Sequence, residues 1–120
     1  MLKSLALTLA VALPIPATAE PYLLMAEEVG CIWCAKWNEE VGYIYPKTAE
    51  GRAAPLKRYD LQSETPDVVF ERRVLFTPTF ILVDEGKEIG RIEGYPGQDF
   101  FWGLLGMLLE QAEIPLDQES

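Results

Sequence analysis

The chain's only two cysteines stand two residues apart, in Gly30-Cys31-Ile32-Trp33-Cys34. A pair at this spacing can close into a small disulfide ring and open again. Placed after a strand and at the start of a helix, it reads as a redox motif. The flanking sequence supplies that setting. Tyr22-Leu23-Leu24-Met25-Ala26 is a continuous apolar run, suited by length to a strand buried on both faces of a sheet. Glu27-Glu28-Val29-Gly30 carries the chain off its end, and Cys31 opens a helix predicted to reach about residue 41.

Downstream, Pro46 interrupts that helix or starts a second short one, and Gly51 marks an end near Arg52. Leu56-Lys57-Arg58-Tyr59-Asp60-Leu61 alternates like a strand with one more exposed face. Thr65-Pro66-Asp67 combines a hydroxyl N-cap, a proline at the first helical position and an acid in the first turn, so a helix is predicted to about residue 73. Phe80-Ile81-Leu82-Val83 is strongly β-prone. A turn at Glu85-Gly86-Lys87 returns the chain through Glu88-Ile89-Gly90-Arg91-Ile92-Glu93 as the second arm of a hairpin. A last, largely apolar helix spans about 98–112. Its apolar middle is too short to cross a bilayer, which needs about 20 residues, so it packs on the sheet, in whole or with a stripe left for a partner.

The expected architecture is one α/β domain. The first strand, helix and second strand form a right-handed parallel crossover. The hairpin adds a third strand antiparallel to the first, closing a four-stranded mixed sheet flanked by helices on both faces. The 120 residues, 49% hydrophobic and 24% charged, are enough for a modest single core.

Residues 1–19 have the layout of an export signal. Lys3 gives the positive start, residues 4–13 are apolar, Pro14 and Pro16 break the run, and Ala17-Thr18-Ala19 fits a small-x-small cleavage site. Cleavage near Ala19 leaves residues 20–120 as the mature domain. Without Lys3, nine basic residues face nineteen acidic ones, a net charge of about −10. That balance argues against a nucleic-acid partner, which requires a basic face. Export also places the cysteines where disulfides persist, so a static structural bridge competes with redox catalysis.

The first turn of a helix leaves N–H groups unpaired and carries positive partial charge, which favours a thiolate at Cys31. Cys34 lies on the same helix face. Cys31 is therefore the expected nucleophile and Cys34 the resolving thiol, which breaks the mixed disulfide that Cys31 forms with a substrate. The chain has no histidine. No imidazolium can then assist, and Glu27 and Glu28 oppose ionisation where Lys36 favours it, which suggests a reductase-leaning couple. Thr77-Pro78 precedes the core strand. A cis bond there would bring the Thr77 backbone beside the sulfurs to pair with an extended substrate, whereas a trans bond would make Pro78 an ordinary strand start. Trp33 is a candidate contact at the rim. A zinc site would need about four ligands, which two cysteines without histidine supply only with a second copy or nearby glutamates. No metal or cofactor is expected.

Gly-Cys-Ile-Trp-Cys at 30–34, Glu40-Val41-Gly42-Tyr43-Ile44-Tyr45-Pro46-Lys47-Thr48, Phe76-Thr77-Pro78-Thr79-Phe80 and Ile89-Gly90-Arg91-Ile92-Glu93-Gly94-Tyr95-Pro96-Gly97 carry a resemblance to known proteins. Across about residues 22–109 the chain resembles the thioredoxin superfamily, and more narrowly the small exported SoxS-type thioredoxin-like proteins of bacterial sulfur oxidation. The resemblance implies a minimal thioredoxin-like fold and a periplasmic thiol-disulfide oxidoreductase. Its implied task is to keep the cysteine of a SoxYZ-type sulfur carrier reactive, with electrons from a membrane relay of the CcdA type. Cys31 and Cys34 are then the redox pair and Pro78 the cis-proline. Three departures stand out. The extra N-terminal strand and helix of thioredoxins are missing, Met25 occupies the position of their buried aspartate, and Gly30 replaces their tryptophan before the first cysteine. Glu27, Glu28 or water are the candidates to replace that aspartate as proton acceptor. Two other functions compete with the reductase: an oxidase that donates disulfides, and a non-catalytic binding or regulatory module on the same fold.

Overall fold

The apolar run at 22–26 becomes a central strand in the computed structural model, which describes residues 4–13 and 19–116. Strand β1 (Tyr22–Glu27) has parallel β2 (Leu56–Asp60) on one side and antiparallel β3 (Thr79–Asp84) on the other. Strand β4 (Lys87–Glu93) pairs antiparallel with β3, giving the order β2-β1-β3-β4. Successive residues of a strand point to opposite faces. Leu23, Met25, Phe80 and Leu82 thus enter one core, and Leu24, Ala26, Ile81 and Val83 enter another. This is the four-stranded mixed sheet expected of a minimal thioredoxin-like fold.

The first core lies under the helices. Helix α1 (Ile32–Trp37) continues into a π-helical turn, Asn38–Gly42, so helical backbone extends one residue beyond the predicted end. A short 3-10 turn, Tyr45–Lys47, then leads to α2 (Ala49–Ala53), capped by the Thr48 hydroxyl, which accepts from the Gly51 amide. Gly51 is required here, because a Cβ would collide with the Tyr45 carbonyl. Helix α3 (Gln98–Gln111) inserts Phe101, Leu105 and Leu109. Trp37 sits at the centre, its ring 5.0 Å from Phe80 and 5.6 Å from Phe101. The Phe101 contact is edge-to-face and the Phe80 contact tilted, and aromatic contacts of this kind add to the burial of apolar area. Two tyrosines tie the periphery. The Tyr45 hydroxyl donates to the Ala54 carbonyl (2.6 Å) and the Tyr95 hydroxyl to Glu40 Oε1 (2.9 Å). Burial, reinforced by the Glu40 carboxylate, pushes Tyr95 up to about 12. On the outer side of α3, Phe100, Leu104 and Met107 are exposed.

The second face departs from expectation. No helix forms after Thr65-Pro66-Asp67, so helices cover one face of the sheet and an irregular segment, residues 61–75, covers the other. Val68, Phe70 and Val74 pack from this segment onto Leu24, Ile81 and Val83. Val69 forms an isolated parallel bridge with Lys87: its amide donates to the Gly86 carbonyl (2.9 Å) and its carbonyl accepts from the Glu88 amide (3.0 Å). The capping signal at Thr65 loses to two effects. β-Branched Val68 and Val69 disfavour helix. A buried ion pair also claims the backbone groups that a helix would use internally. Glu88 accepts from Arg91 Nε (2.7 Å) and Nη2 (2.6 Å), with both side chains almost wholly buried. Glu88 Oε1 also accepts from the Glu71 amide (3.1 Å), and Arg91 Nη2 donates to the Arg72 carbonyl (2.6 Å). Arg72 in turn pairs with Glu93.

Residues 4–13 of the predicted export signal are exposed and carry no regular secondary structure. Pro14, Pro16 and most of the predicted cleavage site, Ala17-Thr18, lie outside the described residues. Among the described residues, no helix is long and apolar enough to cross a membrane.

Breaking the Glu88–Arg91 pair should be costly to the second face, whatever the pair contributes intact. Removing one partner of a buried pair strands a charge, so Arg91→Ala should cost about 3–5 kcal/mol in urea unfolding. Burial works against the Glu88 charge, but the bonds from Arg91 and the Glu71 amide outweigh it and hold the carboxyl below its ordinary 4.5. A folded pKa below the unfolded one contributes stability above the unfolded value and loses it as pH falls through the folded value. Wild type should therefore lose stability on acidification below about pH 4.5, and Glu88→Gln should show a shallower decline in pH-dependent thermal melts.

Candidate active site

The disulfide is placed by the end of β1. Gly30 adopts φ +81°, a left-handed conformation that costs glycine little, and turns the chain into α1. Cys31 is the N-cap of that helix, and its amide donates to the Glu28 carbonyl (3.3 Å). Cys31 and Cys34 are joined as a disulfide, with Cα atoms 5.2 Å apart. The two sulfurs differ in environment. Cys34 is 4% exposed and belongs to the first core, whereas Cys31 is only partly buried. The Cys34 amide donates to Cys31 Sγ at 3.1 Å, so one of the free N–H groups of the helix start is directed at the outer sulfur.

Antiparallel pairing of Ala26 with Thr79 sets the loop before β3 beside this turn. The Thr77–Pro78 peptide in that loop is cis, and Pro78 is buried. Around the two loops the surface is apolar, with Val29, Ile32, Trp33 and Phe76 all exposed, Trp33 by 60%. A shallow groove of about 410 Å³ reaches the disulfide from the β1 side, lined by Glu27, Glu28, Cys31, Ile32, Cys34 and Asn38.

The carboxylates at the end of β1 have separate attachments. Glu28 Oε2 accepts from Gln62 Nε2 (2.7 Å) and Oε1 from the Thr77 hydroxyl (2.8 Å). These two bonds, Gln62 first, draw its carboxyl below the ordinary carboxylate range, which makes Glu28 a poorer base than a free glutamate. Glu27 pairs with Arg58 at 2.9 Å. Arg58 also reaches the buried Met25 sulfur (3.6 Å) and lies 5.7 Å from the centre of the Trp37 ring. Where thioredoxins carry a buried aspartate, this chain has a thioether with a guanidinium beside it. Lys36 faces Glu40 along the exposed side of the helix, at 4.0 Å.

The structure therefore brings Cys31, Cys34, Trp33, Thr77 and Pro78 to one end of the sheet. Gln62 and Arg58 carried no signal in the sequence. Both reach the site from β2 and the loop after it, through contacts with residues 34 and 31 positions earlier in the chain.

No protein-family model matches the chain, and no curated protein matches it. Among solved structures it is similar to the periplasmic thioredoxin SoxS of Paracoccus pantotrophus, solved in the reduced form. The two share 49% identity with a TM-score of 0.75, over 78% of this chain and 99% of that one. Identity at that level across nearly the whole of a redox protein extends to chemistry as well as to fold. The chain belongs to the thioredoxin family, alongside the periplasmic SoxS thioredoxin, and is a thiol-disulfide oxidoreductase.

Proposed function

We propose that the protein is a periplasmic reductase, exported by residues 1–19 and cleaved near Ala19, that returns an oxidised protein cysteine to the thiol. The observation that carries the reading is the asymmetry of the pair, an outer sulfur receiving a backbone N–H and an inner one 4% exposed. In the reduced protein, Cys31 attacks as the thiolate. Its sulfur bonds to one sulfur of the substrate disulfide, and the other leaves as a thiolate that takes a proton from water. Cys34 then loses its proton and attacks Cys31 Sγ. That step releases the second substrate sulfur as a thiolate and leaves the Cys31–Cys34 disulfide, so the dithiol's two electrons pass to the substrate. Thr77 supplies backbone hydrogen-bonding groups to an extended substrate segment, Pro78 keeps that edge free of an N–H, and Trp33 contacts the partner at the rim.

The acceptor for the Cys34 proton is water in the groove that Glu27 lines; Glu28 is committed to Thr77 and Gln62. The substrate is the cysteine of a SoxYZ-type sulfur carrier, blocked by a disulfide or another sulfur adduct. A membrane donor of the CcdA type returns two electrons to the Cys31–Cys34 disulfide. Similarity to a periplasmic thioredoxin of the Sox type supports both the compartment and the pathway.

Cys34→Ser should trap a partner as a mixed disulfide through Cys31, and Cys31→Ser should trap little. Mass spectrometry of the trapped species in the host identifies the substrate, and a sulfur carrier is the expected result. A Cys31→Ser/Cys34→Ser double variant that kept full biological effect would instead establish a non-catalytic module. Equilibration with glutathione should give a potential near thioredoxin's roughly −270 mV; one near −120 mV would make the protein a disulfide donor.

A further inference from the structure

Through its backbone and its side chain together, Glu28 links the three segments around the disulfide. Its backbone carbonyl accepts from the Cys31 amide (3.3 Å). Its two carboxylate oxygens accept from Thr77 in the loop before β3 and from Gln62 in the turn after β2. Both oxygens are thus hydrogen-bonded. The carboxylate is ionised at neutral pH, because both bonds favour the charged form. Hydrogen bonds to a charged acceptor are the stronger kind, and they fix the rotamer of the donor. A threonine whose hydroxyl is held from behind presents its backbone in one orientation.

We propose that Glu28 is a positioning residue for substrate docking. Through Thr77 it sets the distance and orientation between the Cys31–Cys34 pair and the backbone edge at Thr77-Pro78 on which a protein substrate lies. The inference rests on reading that edge as the docking site. Glu28 touches no reacting atom: its hydrogen bonds act on the binding of an extended polypeptide disulfide, while its charge acts alike on exchange with any disulfide. Gln62 is the second anchor, bracing the carboxylate from the β2 side so that the pull on Thr77 has a fixed origin.

The test compares turnover of insulin, an extended protein disulfide, with dithiothreitol as the electron source, against the single-turnover rate at which pre-reduced protein, freed of dithiothreitol, reduces the small uncharged 2-hydroxyethyl disulfide. Glu28→Ala should raise KM for insulin on the order of tenfold, the loss typical of a hydrogen bond to a charged group, with kcat held within about twofold. The small disulfide reports what losing the Glu28 charge does to the sulfurs themselves, and the insulin KM should change well beyond it. Glu28→Gln keeps an acceptor for Thr77 and should recover most of the insulin KM. An unchanged insulin KM in Glu28→Ala overturns the proposal, as does an equal loss on both substrates, which would place the carboxylate in the sulfur chemistry. Should Glu28→Ala prove too unstable to assay, Thr77→Val carries the same expectation, and an unmoved insulin KM there is equally fatal. Pro78→Ala separates the two layers. A raised insulin KM in Pro78→Ala but not in Glu28→Ala removes only the role of Glu28. An unmoved KM in both removes the docking edge itself and the inference with it.

Discussion

The antiparallel pairing of β1 with β3 is the constraint on which the site depends. One loop follows β1 and carries the cysteines; the other precedes β3 and carries Thr77-Pro78. Register alone, with Ala26 opposite Thr79, makes the two loops neighbours. A slip of one residue would exchange every inward and outward side chain on β3. It would place Phe80 and Leu82 on the face now held by Ile81 and Val83 and separate Phe80 from Trp37. The aromatic cluster at Trp37 and the geometry of the redox site are thus protected by the same hydrogen bonds. This coupling explains why a short α1 of six residues suffices, since its inner end is anchored by Trp37 rather than by helix propensity.

The two faces of the sheet are stabilised by different physics. The helical face is apolar and aromatic. The opposite face is covered by a segment without regular structure, whose backbone groups find partners in a buried carboxylate and guanidinium. Such a pair contributes little net stability against a well-packed apolar alternative. What the structure shows is that both charges and two backbone groups of the segment are satisfied together. That segment runs directly into Phe76-Thr77-Pro78, so the clamp on β4 also fixes where the loop before β3 begins.

Met25 takes the place of the buried acid of thioredoxins, and the Arg58 guanidinium beside it is paired with Glu27 at the edge of the groove. The apolar rim of Val29, Ile32, Trp33 and Phe76 makes the site receptive to a protein surface.

Much of this was legible in the chain itself. Local patterning sufficed for the four strands, the cysteine helix and the last helix, because a period of two or an unbroken apolar run reports burial directly. The Cys-x-x-Cys spacing indicated the chemistry because three residues along a helix bring two sulfurs within bonding range. The stretch after Thr65 misled for a physical reason. Capping residues report only local preference, while Glu88 and Arg91, more than fifteen residues downstream, decided where those backbone groups would bond. Glu28 posed the same problem: two adjacent glutamates in a sequence are equivalent until strand register gives one to Arg58 and the other to Thr77 and Gln62. Sequence alone determined which atoms could react; tertiary structure alone decided which side chains surround them, since those contacts are set by pairing between distant strands.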